Sequence, residues 1–246
     1  MIFDLHSHVY PGVDDGAFSL DESLDMLRAA AAGNTAGIVC TPHCGIPRLY
    51  ENFWSTAFDQ GIRKLQTLAD RNGIAIRLYP GQEVYLTEDT IARIGTRQIL
   101  TINRSDYLLV EVGLEFPAAD ALRLIALAAA KGPRLILAHP ERYRFIIEDP
   151  SLAEQLHDAG CLLQLNGGSL LGDFGKAVAD TAHILLQTRR ADLVASDAHS
   201  PYKRTPDLSG VHELISEMYT YDYAEYLLRA APRCVLANKP LYSFGA

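Results

Sequence analysis

An α/β domain built on a closed or nearly closed parallel barrel is the fold this sequence predicts. Three observations carry that expectation: short β-rich runs alternate with helical stretches from end to end, most of those runs are continuously apolar, and no Gly/Ser-rich linker or low-complexity block interrupts the 246 residues. Continuous apolar runs are the pattern of parallel strands covered on both faces by helices. Seven βα units in a chain of this length fit a barrel better than an open doubly wound sheet, which stays as the alternative. No GxGxxG follows the first run, which weakens a dinucleotide-binding sheet. A single domain over residues 1–246 is therefore expected.

The first strand is placed at 2–8 (IFDLHSH), followed by the turn PGVDDG. A helix then starts at the capping box Ser19-x-x-Glu22 and closes at Gly33. Further strands are expected at 36–41 (AGIVCT), 74–80 (IAIRLYP), 107–112 (YLLVEV), 134–139 (RLILAH), 161–166 (CLLQLN) and 192–197 (DLVASD). Pro150 marks the first turn of a helix over SLAEQLHDAG. In MYTYDYAEYLL, at 218–228, Tyr219, Tyr223 and Tyr226 share one face of what reads as a half-buried helix.

Composition narrows the partners. Asp and Glu outnumber Lys and Arg by 30 to 22, a formal charge of −8, and no basic run tracks a phosphate backbone, so nucleic acid is not expected as a partner. The N-terminus lacks a basic flank followed by an apolar h-region, and stretches such as ALRLIALAAA are too short to span a bilayer, so a cytoplasmic protein without membrane insertion is expected. The four cysteines, Cys40, Cys44, Cys161 and Cys234, have no CxxC spacing and read mostly as buried free thiols. None is a phosphatase-loop nucleophile, because the sixth position after each is Ile46, Tyr50, Gly167 or Pro240 rather than arginine.

In a parallel barrel, chemistry gathers where strands end. His6 and His8 close the first run, His43 follows the second, and Glu83 follows the third. Glu111 lies in VEV, His139 begins HPER, and Asp197 and His199 lie in SDAH. The sixth strand alone offers no strong ligand and ends on Asn166. The strand period of two puts His6 and His8 on one face, and Asp197 and His199 likewise. Glu111 sits in an apolar run where a carboxylate needs a partner or a metal. Asp14 reads as part of a turn, whereas Asp15 is a candidate ligand; His157, His183 and His212 fall inside helices and read as structural or surface residues.

So many imidazoles and carboxylates exceed the needs of one ion. Mixed N and O donors favour manganese, iron or zinc, with cobalt and magnesium as further candidates, and a bridging carboxylate such as Glu83 suits two or three ions roughly 3.5–4 Å apart. Arg142, three residues after His139, and Arg204, on the last rim loop, have the planar donor fork that binds a phosphate dianion. Metal-dependent phosphoester hydrolysis is the chemistry this set suits.

The motifs DLHSHVYPGVDDGA, TPH, PGQEVY, LVEV, AHPERY and ASDAH, in that order, resemble the polymerase and histidinol phosphatase (PHP) superfamily over nearly the whole chain. Within it they are most similar to the bacterial manganese-dependent protein tyrosine phosphatases of capsular and exopolysaccharide operons. The resemblance implies a distorted seven-stranded (β/α)7 barrel with three metal ions. It implies His6, His8, Glu83 and Asp197 on one ion, Glu83, Glu111 and His139 on a second, and Asp15, His43 and His199 on a third, with Arg142 and Arg204 holding phosphate. It further implies Mn²⁺ as cofactor, the phosphotyrosine tail of a bacterial tyrosine kinase as substrate, and His199 or Asp15 as proton source. Two other readings fit the residues: a PHP phosphoesterase acting on a small phosphate such as histidinol phosphate, and a non-catalytic metal-binding module that docks on a kinase.

Overall fold

The computed structural model of the protein describes residues 1–242 and 244. Among the described residues the strands of both sheets pair in parallel, and one isolated antiparallel bridge joins Ile46 and Tyr50. Nine strands form among the described residues: β1 (Ile2–Ser7), β2 (Thr35–Cys40), β3 (His43–Cys44), β4 (Arg77–Pro80), β5 (Glu83–Tyr85), β6 (Tyr107–Glu111), β7 (Arg134–Ala138), β8 (Leu162–Asn166) and β9 (Leu193–Ala195). They make a three-stranded sheet in the order β1-β2-β4 and a six-stranded sheet in the order β3-β5-β6-β7-β8-β9. Where the sequence predicted one set of seven strands, the second and third are each broken in two. Pro42, which has no N–H to donate, interrupts β2 from β3, and Gly81 with Gln82 separates β4 from β5. Hydrogen bonds bridge the breaks, from Gly81 N to the Cys40 carbonyl (3.0 Å) and from Glu83 N to the Pro42 carbonyl (3.1 Å).

The end of β1 meets the segment after β9. Ser7 pairs with Ala198, Asp197 N donates to the His6 carbonyl, and His8 N donates to the Ala198 carbonyl, both at 2.9 Å. Leu5, Val39, Leu109, Ile136 and Leu193 pack together inside, and Ala231 and Val235 of the helix Ala231–Leu236 join them. Outside, Leu108, Val110, Leu135 and Leu137 pack against Leu124, Ile125, Leu185 and Leu186 of the flanking helices. A separate apolar cluster covers the small sheet, with Leu24, Leu27, Ile62 and Leu65 over Ile38 and Leu78. Both faces of the strands are thus buried, as their continuous apolar runs require.

Three local features differ from, or add to, the sequence reading. The register of β1 against β2 shifts between Asp4 and Ser7, a bulge that lets Leu5 face the interior cluster while His6 and His8 converge above it. The first helix, Leu20–Ala32, has Ser19 as its cap, but the Glu22 carboxylate accepts from Phe18 N (2.8 Å) instead of from Ser19 N. The tyrosine segment is not one helix: Ser209–Met218 ends before Tyr219, and Tyr221–Glu225 runs on into a π-helical turn, Tyr226–Ala230. Tyr223 is nonetheless buried, with Tyr219 and Tyr226 packed partly buried beside it.

Gly16 fixes the loop after β1. Ala17 N donates to the His8 carbonyl (3.0 Å), so the loop folds back onto the strand, and a Cβ at Gly16 would lie 2.1 Å from that same carbonyl oxygen. Gly16→Ala is expected to lower stability by about 1–3 kcal/mol, read as a lower urea midpoint; an unchanged midpoint would mean that the loop yields freely.

Candidate metal centre

The strand ends bring nine candidate ligands, His6, His8, Asp15, His43, Glu83, Glu111, His139, Asp197 and His199, to one end of the fold. Glu83, fully buried, is their centre. Its Oε1 lies 3.3 Å from His6 Nε2 and 3.0 Å from His139 Nε2, and its Oε2 lies 3.3 Å from His8 Nε2 and 2.9 Å from His43 Nδ1. Asp197 Oδ1 completes the first group at 3.4 Å from His6 Nε2 and 3.3 Å from His8 Nε2.

Beside it, Glu111 Oε1 lies 2.9 Å from His43 Nδ1, closer than the 3.8 Å between Glu111 Oε2 and His139 Nε2. His43 therefore faces two groups. Its Nδ1 is with Glu83 and Glu111, while its Nε2 is 3.4 Å from Asp15 Oδ1, which also lies 3.5 Å from His199 Nε2. Three sets of donor atoms each lie within 4.8 Å of one another: His6, His8 and Glu83; His43, Glu83 and Glu111; and His8, Asp15, His43 and His199.

The donor chemistry fits cations. His43 Nδ1, Glu83 Oε2 and Glu111 Oε1 are buried without a hydrogen-bond partner although they face one another. Atoms buried 2.9 Å apart in this way need a positive charge between them, a proton in the metal-free protein or a cation in its place. Burial, then the neighbouring Glu83 charge, raises the Glu111 carboxyl above its ordinary pKa. Burial opposes the ionisation of Glu83 too, but the His6 and His43 imidazoles outweigh it and hold that carboxyl well below the ordinary range.

His43 is raised to about 10, because Glu83 and Glu111 outweigh its burial. The metal-free cluster therefore holds a proton on His43 at neutral pH, which an ion must displace. Titration of divalent metal into the metal-free protein at pH 7.5, in buffers of different ionisation enthalpy, should show release of about one proton or more. Affinity should weaken as pH falls; binding without proton release would contradict this arrangement.

Contacts to the ligands orient them. The Asp14 carboxylate accepts from His8 Nδ1 (2.7 Å) and from His43 N (3.0 Å). Because a carboxylate only accepts, His8 carries a proton on Nδ1, which directs its Nε2 toward the cluster. Asp14 thus has a role beyond the turn that the sequence suggested, although it also makes that turn through Gly16 N (3.1 Å). Gln164 Oε1 does for His6 what Asp14 does for His8, at 2.7 Å from Nδ1. From Gln164 the chain continues to Asn166 Oδ1 (3.0 Å), and from Asn166 Nδ2 to Asp197 Oδ2 (2.6 Å). Buried Glu141 accepts from Asn166 N (2.9 Å). Gln164 and Asn166 alternate on one face of an otherwise apolar strand, the one signal that could have singled them out. Asp14→Asn should weaken metal binding about 10- to 100-fold with the fold intact; unchanged affinity would remove its orienting role.

Arg142 Nη1 donates to Asp197 Oδ2 at 3.1 Å, and Arg204 Nη2 donates to the same oxygen. Both guanidiniums open onto a cleft of about 240 Å³ that also exposes Asp15, His43, His139 and His199. His139, Asp197 and Arg204 have left-handed backbones, with φ of 37°, 51° and 51°, a conformation non-glycine residues hold only where surroundings enforce it. His157, His183 and His212 lie outside the cluster and bond Asp192, Tyr219 and Glu225 respectively. Cys40, Cys44 and Cys161 are buried free thiols pushed up to about 12 by burial, and Cys234 is free and half-buried. No helix among the described residues is long and apolar enough to cross a membrane.

Residues 2–237 match the model of a family described as capsular polysaccharide synthesis, CpsB/CapC. The tyrosine-protein phosphatase YwqE of Bacillus subtilis (strain 168) is 33% identical over 199 residues, covering 81% of this chain and 78% of YwqE. The tyrosine-protein phosphatase CpsB of Streptococcus pneumoniae is 26% identical over 245 residues, covering 97% and 99% of the two chains. A crystal structure from the set of B. subtilis YwqE and S. pneumoniae CpsB, described as metal-dependent tyrosine phosphatases, superposes with a TM-score of 0.90 at 29% identity over 98% of this chain and 97% of that one. The lactonase Lmo2620 of Listeria monocytogenes shares the fold, with a TM-score of 0.65 at 10% identity over 97% and 95% of the two chains.

Proposed function

Because the chain belongs to the capsular polysaccharide synthesis CpsB/CapC family, we propose that it is a metal-dependent protein-tyrosine phosphatase. One observation carries this reading: two guanidiniums meet on the carboxylate of Asp197, a candidate metal ligand, at a cleft beside three overlapping cation-fitting groups. Phosphoryl transfer needs cation density and a planar donor fork at the same point.

The finer reading is as follows. The nine strand segments are seven staves of one distorted barrel, two of them broken, over a single domain. Mn²⁺ is the native metal, and the nine candidate ligands would hold two or three ions, with the Glu83 carboxylate central among them. The physiological substrate is the phosphotyrosine tail of a bacterial tyrosine kinase that regulates polysaccharide synthesis, and the protein works in the cytoplasm. The family names support the substrate class; the donor set, mixed imidazole and carboxylate, supports the metal.

Divalent cations bound there would supply Lewis acidity, making water ionise near neutral pH and offsetting phosphoryl charge. The protein's own residues do the rest. Arg142 and Arg204 hold the non-bridging oxygens; a guanidinium has five N–H donors, so each keeps Asp197 while binding phosphate. Asp14 and Gln164 set the imidazoles of His8 and His6 in place through their Nδ1 atoms. The leaving tyrosinate has an ordinary pKa of about 10 and needs little help, so a proton from a water held at the cleft by His199 or Asp15 suffices.

The deciding experiment compares a phosphotyrosyl peptide with an alkyl phosphate such as histidinol phosphate, with Mn²⁺ and after chelation. Turnover of the peptide that is lost on chelation is expected. Activity confined to the alkyl phosphate would overturn the reading in favour of a small-molecule phosphoesterase, and no hydrolysis with metal present would leave a docking module.

A further inference from the structure

The sixth strand supplies no ligand, yet the segment after it reaches the phosphate end of the site. After β8 the short helix Gly167–Leu171 ends, and the chain turns tightly through residues 172–175. Gly172 and Gly175 take φ of 87° and 90°, Asp173 N donates to the Gly168 carbonyl (2.9 Å), and Gly175 N donates to that of Gly172 (3.0 Å). This turn presents Phe174, half-buried, to both site arginines. The Arg142 guanidinium carbon lies 4.5 Å from the ring centroid and that of Arg204 lies 5.7 Å from it. Arg142 follows β7 and Arg204 follows β9, so the β8 segment is the one placed between them.

We propose that Phe174 is a positioning residue, a shelf whose π face holds the two guanidiniums in register for a phosphoryl group. Two like charges that share one oxygen, Asp197 Oδ2, repel each other, and one carboxylate oxygen fixes the tip of each side chain but not its plane. A ring face attracts cations and orients a planar guanidinium by stacking. The ring contacts the two arginines, and it is the arginines that line the cleft. The ring acts on binding through the arginines and has no part in the bond-breaking itself.

The inference rests on the reading that these arginines bind phosphate. Its test uses the metal-loaded full chain, Phe174→Leu and Phe174→Trp, with three readouts: orthophosphate affinity by calorimetry, steady-state kinetics on a phosphotyrosyl peptide, and bound metal by elemental analysis. Phe174→Leu keeps apolar volume without a π face. It should weaken orthophosphate about 3- to 20-fold, the range for one or two half-exposed cation–π contacts, and raise KM in parallel. Metal content should be unchanged and kcat within about threefold. Phe174→Trp should restore affinity and KM to within about twofold. Wild-type affinity in Phe174→Leu, with the peptide still hydrolysed, overturns the shelf alone. Equal losses of kcat and metal in both variants overturn it by showing a packing role. Failure of the unmodified protein to bind orthophosphate or hydrolyse the peptide overturns the phosphatase reading and the shelf with it.

Discussion

Glu83→Gln is expected to lower turnover of a phosphotyrosyl peptide by about three orders of magnitude or more, with metal content reduced in the same sample. The substitution keeps shape and hydrogen-bonding capacity but removes the one charge that faces four imidazoles, those of His6, His8, His43 and His139. A buried amide oxygen has no net charge to set against cations among those imidazoles, so metal content should fall together with activity. The metal-free protein supplies a second reading. Its histidine partners hold the Glu83 carboxyl well below the ordinary value, so this pairing stabilises the fold above the ordinary carboxylate pKa and is lost as pH falls through the depressed value. The stability gap between the metal-free wild type and Glu83→Gln should therefore narrow toward acid. A variant that keeps its metal and a tenth or more of its turnover would defeat the central place given to Glu83.

The second large effect is expected from the arginines. Arg142→Ala or Arg204→Ala alone should lower kcat/KM by about 10- to 100-fold, the range for lost hydrogen bonds to a charged group. The double variant should lose about a further tenfold at most, short of the product. Non-additivity follows from shared partners, since both side chains meet the same Asp197 oxygen and the same Phe174 ring. Arg142→Lys should behave as a loss variant too, because an ammonium offers a point charge in place of a planar fork. Steady-state rates with orthophosphate inhibition check both statements. Undiminished orthophosphate binding in the double variant would remove the arginines from the phosphate site.

Much of this architecture was legible from the chain, and the exceptions have physical causes. The apolar runs at 107–112 and 134–139 announced β6 and β7 because strands covered on both faces have no polar side to alternate with. The breaks at Pro42 and Gly81 were visible as residues but not as breaks, since the backbone hydrogen bonds that carry the ladder past them come from neighbouring strands. The tyrosine segment kept its packing but not its continuity. Candidate ligands stood out because strand ends concentrate titratable residues. Asp14, Gln164, Asn166, Glu141 and Phe174 did not, because each acts through a residue distant in sequence or hidden behind another. Gln164 meets His6 across 158 positions, and no local pattern records such a meeting.

The junction of β1 with the segment after β9 also sets a timetable. Asp4 and Ser196, which bond across that junction, are 192 positions apart, so His6 and His8 leave the ribosome well before Asp197 and His199. At 5–20 residues per second, the first pair waits about 10–40 s for its counterparts. During that interval the donors around His6 and His8 lack Asp197 and the group around Asp15 and His43 lacks His199, so the cluster is complete only once the segment after β9 has been made.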